Sequence, residues 1–134
     1  MLNKTVDYCN SYYEAGYNCA ETALRAANDA WNLGLTEESF ELMIGFGGGM
    51  VVGSVCGTIT GGIAAIGRYF AMGEDRQYES AQDKVALFMD EVKSRYDSID
   101  CVDLRPRFRT ESDRCLRTVI LVLEVLDEIM ADVG

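Results

Sequence analysis

Histidine is absent from the 134-residue sequence, and this absence removes several kinds of active site. A chain without histidine cannot form Ser-His or Cys-His nucleophilic pairs, a histidine-ligated haem site or a mixed Cys/His zinc site. We therefore expect neither haem nor a histidine-bound metal. Any metal would be held by thiolates, carboxylates or backbone groups.

Basic residues are scarce: 12 Lys and Arg stand against 22 Asp and Glu, for a net charge of -10. An acidic surface repels phosphate backbones and anionic lipid headgroups, so neither nucleic acid nor a membrane surface is an expected partner. The first residues, MLNKTVDYCNSYYEAG, contain no apolar stretch like that of a signal peptide. We therefore expect a cytoplasmic protein.

Proline occurs once, and apolar residues follow a helical rather than a strand-like period along most of the chain. The last helix, expected from Thr110 onward, contains TVILVLEVL and is apolar around most of its circumference. The sequence predicts one all-α domain over residues 1–134, a compact bundle of about five helices with a glycine-rich helix start near its centre. The apolar last helix, or the glycine-lined one, predicts a homodimer.

The segment from Leu42 to Gly67 contains no charged residue and nine glycines. Its length could span a bilayer, but three consecutive glycines would be tolerated poorly by a lone helix, so we do not expect a membrane protein. We expect a turn at Gly47–Gly49 and a helix from about Val55 to Met72. Glycines at every fourth position would admit a neighbouring backbone: they are Gly45, Gly49, Gly53, Gly57 and Gly61.

The chain has five cysteines, an odd number that favours metal-binding, redox-active or buried thiols over structural disulfides in a reducing compartment. Asn18 and Glu21 form a capping-box pattern that places Cys19 at a helix start. Cys56 is expected in the first helical turn of the glycine segment. The helix dipole predicts a lowered pKa for both thiols, with glycines giving access to the Cys56 sulfur. Alternatively, Cys56 is a small apolar filler between packed helices.

Two further cysteines and three arginines leave alternatives open. Cys9 and Cys115 both lie on apolar helical stripes, so packing competes with a ligand role for each. Arg105, Arg107 and Arg109 alternate around the single proline and form either an anion or partner site or a solvated loop.

Four short motifs, GYNCAETAL, GSVCGTITGGIAAIG, IDCVDLR and DRCLRTV, each contain one cysteine. Together they resemble the C_GCAxxG_C_C family, and the resemblance spans the chain. The matching positions are Cys19, Cys56 followed by Gly57, Cys101 and Cys115, whereas Cys9 has no counterpart. One departure is Thr58, which stands where the family pattern has alanine.

The resemblance implies a redox role, and a related domain in a cytochrome of sulfate-reducing bacteria is associated with an iron-sulfur centre. A first hypothesis is that the four motif cysteines bind a metal, most simply [2Fe-2S], and exchange electrons with a redox partner protein. A second is a thiol oxidoreductase in which Cys56 or Cys19 attacks a small disulfide substrate. A third is a non-catalytic helical interaction module whose cysteines are only packed.

Overall fold

Seven α-helices and two short 3₁₀ turns form most of residues 2–133, the part of the chain that the structure, a computed structural model, describes. The helices are α1 (Cys9–Glu14), α2 (Cys19–Trp31), α3 (Glu37–Glu41), α4 (Gly57–Ala71), α5 (Tyr78–Tyr96), α6 (Cys101–Phe108) and α7 (Leu116–Ile129). The 3₁₀ turns cover Thr5–Tyr8 and Ile44–Phe46. Residues 2–133 contain no β-strand, only two isolated bridges. The all-α prediction is confirmed, whereas the count of about five helices is wrong.

Helix α6 explains part of the difference in helix count, because its sequence, CVDLRPRFR, predicts a polar loop. Pro106 lies inside this helix and removes one backbone hydrogen bond. The helix tolerates the loss because it ends two residues later, at Phe108. Arg105 and Arg107 therefore lie on a helix and Arg109 is its C-terminal cap, which corrects the expected loop.

Helices α2 and α4 pack closely at their N-terminal ends. A Cβ atom added at Gly61 would overlap the carbonyl oxygen of Ala20 and lie 2.9 Å from the Cβ of Ala23. One added at Gly57 would lie 3.1 Å from the Cβ of Cys19. Glycines spaced by four thus let the backbone of α4 approach α2, and the first turns of the two helices lie side by side.

The segment between Gly47 and Ser54 has irregular backbone. Positive φ angles occur at Gly48 and Gly49, within the predicted turn, and also at Met50 and Val51. The uncharged segment 42–67 is therefore divided into short pieces before α4 begins. Within residues 2–133, no helix combines the length and the apolar character needed to cross a membrane.

Helix α7 begins at Leu116 and not at Thr110, because two backbone hydrogen bonds between Thr110 and Arg114 close a tight turn before it. Part of its apolar surface is covered within the single chain, where Val119, Val122, Leu123, Val125 and Leu126 are buried, whereas Leu116, Ile120, Leu121 and Ile129 are half-buried. The homodimer stays a prediction. Exposed apolar residues outside α7 offer further surface for such a contact: they include Leu42, Ile44, Val51, Val52 and Val102.

Replacing Gly61 with alanine is expected to lower the free energy of unfolding by about 1–3 kcal/mol, because the new methyl group overlaps α2. Gly67→Ala is the matched control: it lies in the same helix with nothing within 4 Å of an added Cβ. This control should gain up to about 1 kcal/mol through helix propensity. Urea denaturation followed by circular dichroism measures both values, and equal effects would contradict the close α2–α4 contact.

Candidate functional site

The four motif cysteines line one small pocket of about 40 Å³. The complete lining is Cys19, Gly48, Cys56, Gly57, Cys101, Leu104, Arg105, Cys115 and Thr118. The structure thus brings together five residues that the motifs single out, although they come from four separate segments of the chain.

Each of these cysteines stands at the beginning of a helix. Cys19 and Cys101 are the first residues of α2 and α6, while Cys56 and Cys115 are the N-caps of α4 and α7. The helix start predicted for Cys19 is confirmed, and Cys56 lies one residue before its helix. Free backbone N–H groups and the positive end of the helix dipole favour negative charge at such positions. The N-termini of four helices therefore surround one pocket, and their combined electrostatic field favours thiolates there.

Cys19 is held in place by the capping box at the start of α2. The Asn18 side chain accepts a hydrogen bond of 2.9 Å from the Glu21 backbone N–H, and the Glu21 carboxylate accepts one of 3.1 Å from the Asn18 N–H. The Asn18 amide also donates to the Ile44 carbonyl at 3.0 Å. Asn18 thus fixes the helix start and ties the glycine segment to it.

Cys56 and Cys101 are joined through their backbones by a short antiparallel bridge. The Cys56 N–H donates to the Ile99 carbonyl at 2.8 Å, and the Cys101 N–H donates to the Ser54 carbonyl at 2.7 Å. A Cβ at Gly49 would lie 2.8 Å from the Cβ of Cys101, so the irregular segment packs directly on this cysteine. The bridge places the start of α6 beside the start of α4.

Cys115 is positioned by Tyr13 of α1, a contact that the sequence did not predict. The Tyr13 hydroxyl accepts a hydrogen bond of 3.0 Å from the Cys115 backbone N–H. Arg114 donates to the Tyr13 carbonyl at 3.2 Å, and its guanidinium lies 4.6 Å from the centre of the tyrosine ring. Tyr13 lies on the same apolar stripe as Cys9, and that stripe predicts only core packing.

Cys19 and Cys115 line the same pocket and have opposite pKa shifts. The interaction with the Cys19 thiol, reinforced by the charges of Arg105 and Arg109, overcomes partial burial and lowers the pKa of Cys115 to about 6. The interaction with Cys115, followed by burial, raises the pKa of Cys19 well above its ordinary value. The Cys19 thiol therefore holds its proton more firmly than the Cys115 thiol does.

Cys56 does not have the lowered pKa or the accessibility that the sequence predicts. It is 4% exposed, and burial raises its pKa although the amides of Thr58 and Ile59 oppose the shift. The lowered pKa expected for Cys19 is also wrong, because the interaction with Cys115 and burial raise the pKa of this thiol. The glycines near Cys56 allow helices to pack and do not open a path to the sulfur. By contrast, the pKa of Cys115 is lowered to about 6.

Cys9 lies outside the pocket lining, in the hydrophobic core. It is fully buried, and burial is the main cause that raises its pKa to about 11. The packing interpretation of Cys9 is confirmed.

Two further side chains line the pocket, and the sequence did not predict either of them beside the cysteines. Arg105 donates a hydrogen bond of 3.4 Å to the sulfur of Cys101, and Thr118 is buried with no partner for its hydroxyl within residues 2–133. Helical spacing could have identified both, because Arg105 follows Cys101 by four positions and Thr118 follows Cys115 by three. Arg107 instead donates to the Tyr96 carbonyl.

Four thiols match the donor set of an all-cysteinyl iron-sulfur cluster in number and kind. Within residues 2–133, however, no three Cys, Asp or Glu side chains are arranged so that they could hold a metal ion. The thiols as placed do not fit a cluster.

We expect iodoacetamide to modify Cys115 first, because the thiolate is the reactive form and the pKa of this thiol is lowered. Its alkylation rate should rise with pH with a midpoint of about 6, whereas an ordinary cysteine has a pKa of about 8.5. Cys9 and Cys56, which are buried with raised pKa values, should react far more slowly. Mass-resolved alkylation over a pH series measures each site.

Tyr13→Phe provides a matched variant for this titration, since it removes only the hydroxyl that favours the Cys115 thiolate. The midpoint for Cys115 should move upward while Cys9 stays slow. Fastest reaction at Cys56, or an unshifted Cys115 midpoint, would contradict the assignment.

Residues 17–129 match the family described as "Putative redox-active protein (C_GCAxxG_C_C)". The matched range includes all four pocket cysteines and excludes Cys9, in agreement with the resemblance seen in the motifs. No significant match to this chain occurs among curated proteins or among solved structures. Because the family match covers most of its length, the chain belongs to the C_GCAxxG_C_C family.

Proposed function

We propose that this chain is a redox protein that carries out thiol-disulfide exchange at Cys115 and Cys19. The supporting observation is that both thiols line one pocket and have opposite pKa shifts, with a lowered pKa at Cys115 and a raised pKa at Cys19. An attacking thiol works best when its pKa is near the ambient pH, and the second thiol must stay protonated until it is needed. The pair meets both conditions.

The reaction conserves atoms and electrons as a two-step exchange. The Cys115 thiolate attacks one sulfur of a substrate disulfide, a mixed disulfide forms, and the other half leaves as a thiolate. Cys19 then loses its proton and attacks the Cys115 sulfur, which releases the second half. The protein has lost two electrons and a Cys19–Cys115 disulfide has formed, while the substrate has become one thiol, which takes up the proton released by Cys19, and one thiolate.

The interaction between the two thiols gives this sequence an order. Before attack, the side-chain interaction with Cys115 is the largest cause of the raised pKa of Cys19, followed by burial. In the mixed disulfide Cys115 is no longer a thiolate, so that largest cause disappears and the pKa of Cys19 falls, although burial still opposes its ionisation. Cys19 thus becomes a nucleophile only after Cys115 has reacted.

A second candidate is an iron-sulfur protein that transfers electrons through a [2Fe-2S] or related cluster. It is favoured by the lining of the pocket, which contains all four motif cysteines. The thiol side chains would need to move before they could ligate a metal ion together. We therefore rank this candidate below the dithiol.

We further propose that a redox partner protein or a small thiol reduces the pair again, in the cytoplasm. All five cysteines are free, which is the state expected in a reducing compartment.

Oxidation of the reduced protein with one equivalent of a small disulfide should produce one Cys19–Cys115 disulfide, detected by peptide mass spectrometry. Cys19→Ser should stop at a mixed disulfide on Cys115, because the second nucleophile is gone. Cys115→Ser should give neither product. Cys9→Ser, the control outside the pocket, should form the disulfide normally and lose only about 1 kcal/mol of stability through its buried hydroxyl.

Anaerobic reconstitution with iron and sulfide tests the second candidate on the same variants. Stoichiometric iron binding with a visible charge-transfer spectrum would favour the cluster over the dithiol if both were lost when any one of the four pocket cysteines is replaced by serine. Disulfide formation that survives in Cys101→Ser, without iron uptake by the unaltered protein, would support the dithiol.

A further inference from the structure

A larger open cleft of about 560 Å³ adjoins the four-cysteine pocket. Its lining consists of Arg105, Pro106, Arg109, Thr110 and Glu111. Arg105 belongs to both linings, so the cleft and the four-cysteine pocket share one side chain as a common wall. The pocket itself has room for little more than one sulfur atom, whereas the cleft can hold the rest of a small molecule.

The two arginines of the cleft stand one helical turn apart, since the Arg109 N–H donates to the Arg105 carbonyl at 3.0 Å. Neither forms an ion pair with a carboxylate within residues 2–133. By contrast, Arg25, Lys84 and Arg95 each have a carboxylate partner. Arg105 and Arg109 therefore keep guanidinium groups that can bind a ligand.

The charge around the cleft is opposite to that of the whole chain. The net charge is -10, yet the short segment from residue 105 to residue 117 contains five of the 12 basic residues, namely Arg105, Arg107, Arg109, Arg114 and Arg117. The charges of Arg105 and Arg109 both reach the Cys115 sulfur. A small anion repelled elsewhere on the surface would be attracted to this cleft.

We infer, on the basis of the proposed thiol-disulfide exchange, that Arg105 and Arg109 bind a carboxylate of a small anionic disulfide and so position its S–S bond beside Cys115. Guanidinium groups bind carboxylates through charge-assisted and often bidentate hydrogen bonds. The sulfur of Cys101, 3.4 Å away, is the one side-chain partner of Arg105 within residues 2–133, which leaves its other N–H groups for a substrate. Glu111, on the cleft lining, opposes the same ligand by its charge.

Two chromogenic disulfides test this substrate class. Dithiobis(nitrobenzoic acid) carries one carboxylate on each half, and dithiodipyridine is neutral. Rates are measured by stopped flow at about pH 8, where the lowered pKa keeps Cys115 a thiolate. The test variant combines Arg105→Gln with Arg109→Gln. The matched control combines Arg76→Gln with Lys93→Gln, which removes the same two charges at exposed positions outside the cleft.

In the test variant, the rate with the anionic disulfide should fall about tenfold, because its charge-assisted hydrogen bonds are lost. The rate with the neutral disulfide should fall far less, and the control should keep the original ratio of the two rates. Glu111→Gln should raise the rate with the anionic disulfide alone, a gain that misfolding cannot imitate.

The inference is overturned if the ratio of the two rates is unchanged in both the arginine and the Glu111 variants. If the Cys19–Cys115 disulfide still forms in that case, the proposed function stands without this substrate class. If neither disulfide yields the Cys19–Cys115 bond in the unaltered protein, the proposed function fails and the assignment of the cleft fails with it.

Discussion

The close contact between α2 and α4 determines where the thiols can meet. Gly57 and Gly61 have no side chains, and the contact has no room for any at these two positions. The starts of α2 and α4, with Cys19 and Cys56, can therefore lie next to each other. The bridge that pairs residues 55 and 100 then adds the start of α6. Because interiors pack densely, a small increase in the α2–α4 separation would move the sulfurs of two segments at once.

Two opposing electrostatic effects act on the ionisation of the four pocket cysteines. Every one of them stands at a helix N-terminus, where the dipole favours a thiolate, but burial disfavours charge. At Cys56 burial has the larger effect and raises the pKa, although two backbone amides oppose the shift. At Cys115 burial is smaller, and the interaction with Cys19 together with the charges of two arginines lowers the pKa. Similar positions along a helix thus produce thiols with different chemistry.

The helical fold could be predicted from local patterns, and the four cysteines of the site could be predicted from the resemblance of their motifs to the family. Apolar periodicity identified the long helices, and the Asn18–Glu21 capping box located the start of α2 correctly. The ranking of the thiols could not be predicted, because it depends on burial and on contacts across the fold. Cys56 has a favourable local sequence but is enclosed by α2, whereas Cys115 lies on an apolar stripe and depends on Cys19.

The hydrogen bond between Tyr13 and Cys115 joins positions separated by 102 residues. Contacts of such long sequence separation form late, after the entropy of closing a long loop has been overcome. On the ribosome, Tyr13 emerges long before Cys115, so a growing chain already exposes Cys19 and Cys56 while their partner is missing. The surroundings that lower the pKa of Cys115 are therefore completed only after the segment that contains Cys115 has been made and has packed on α1.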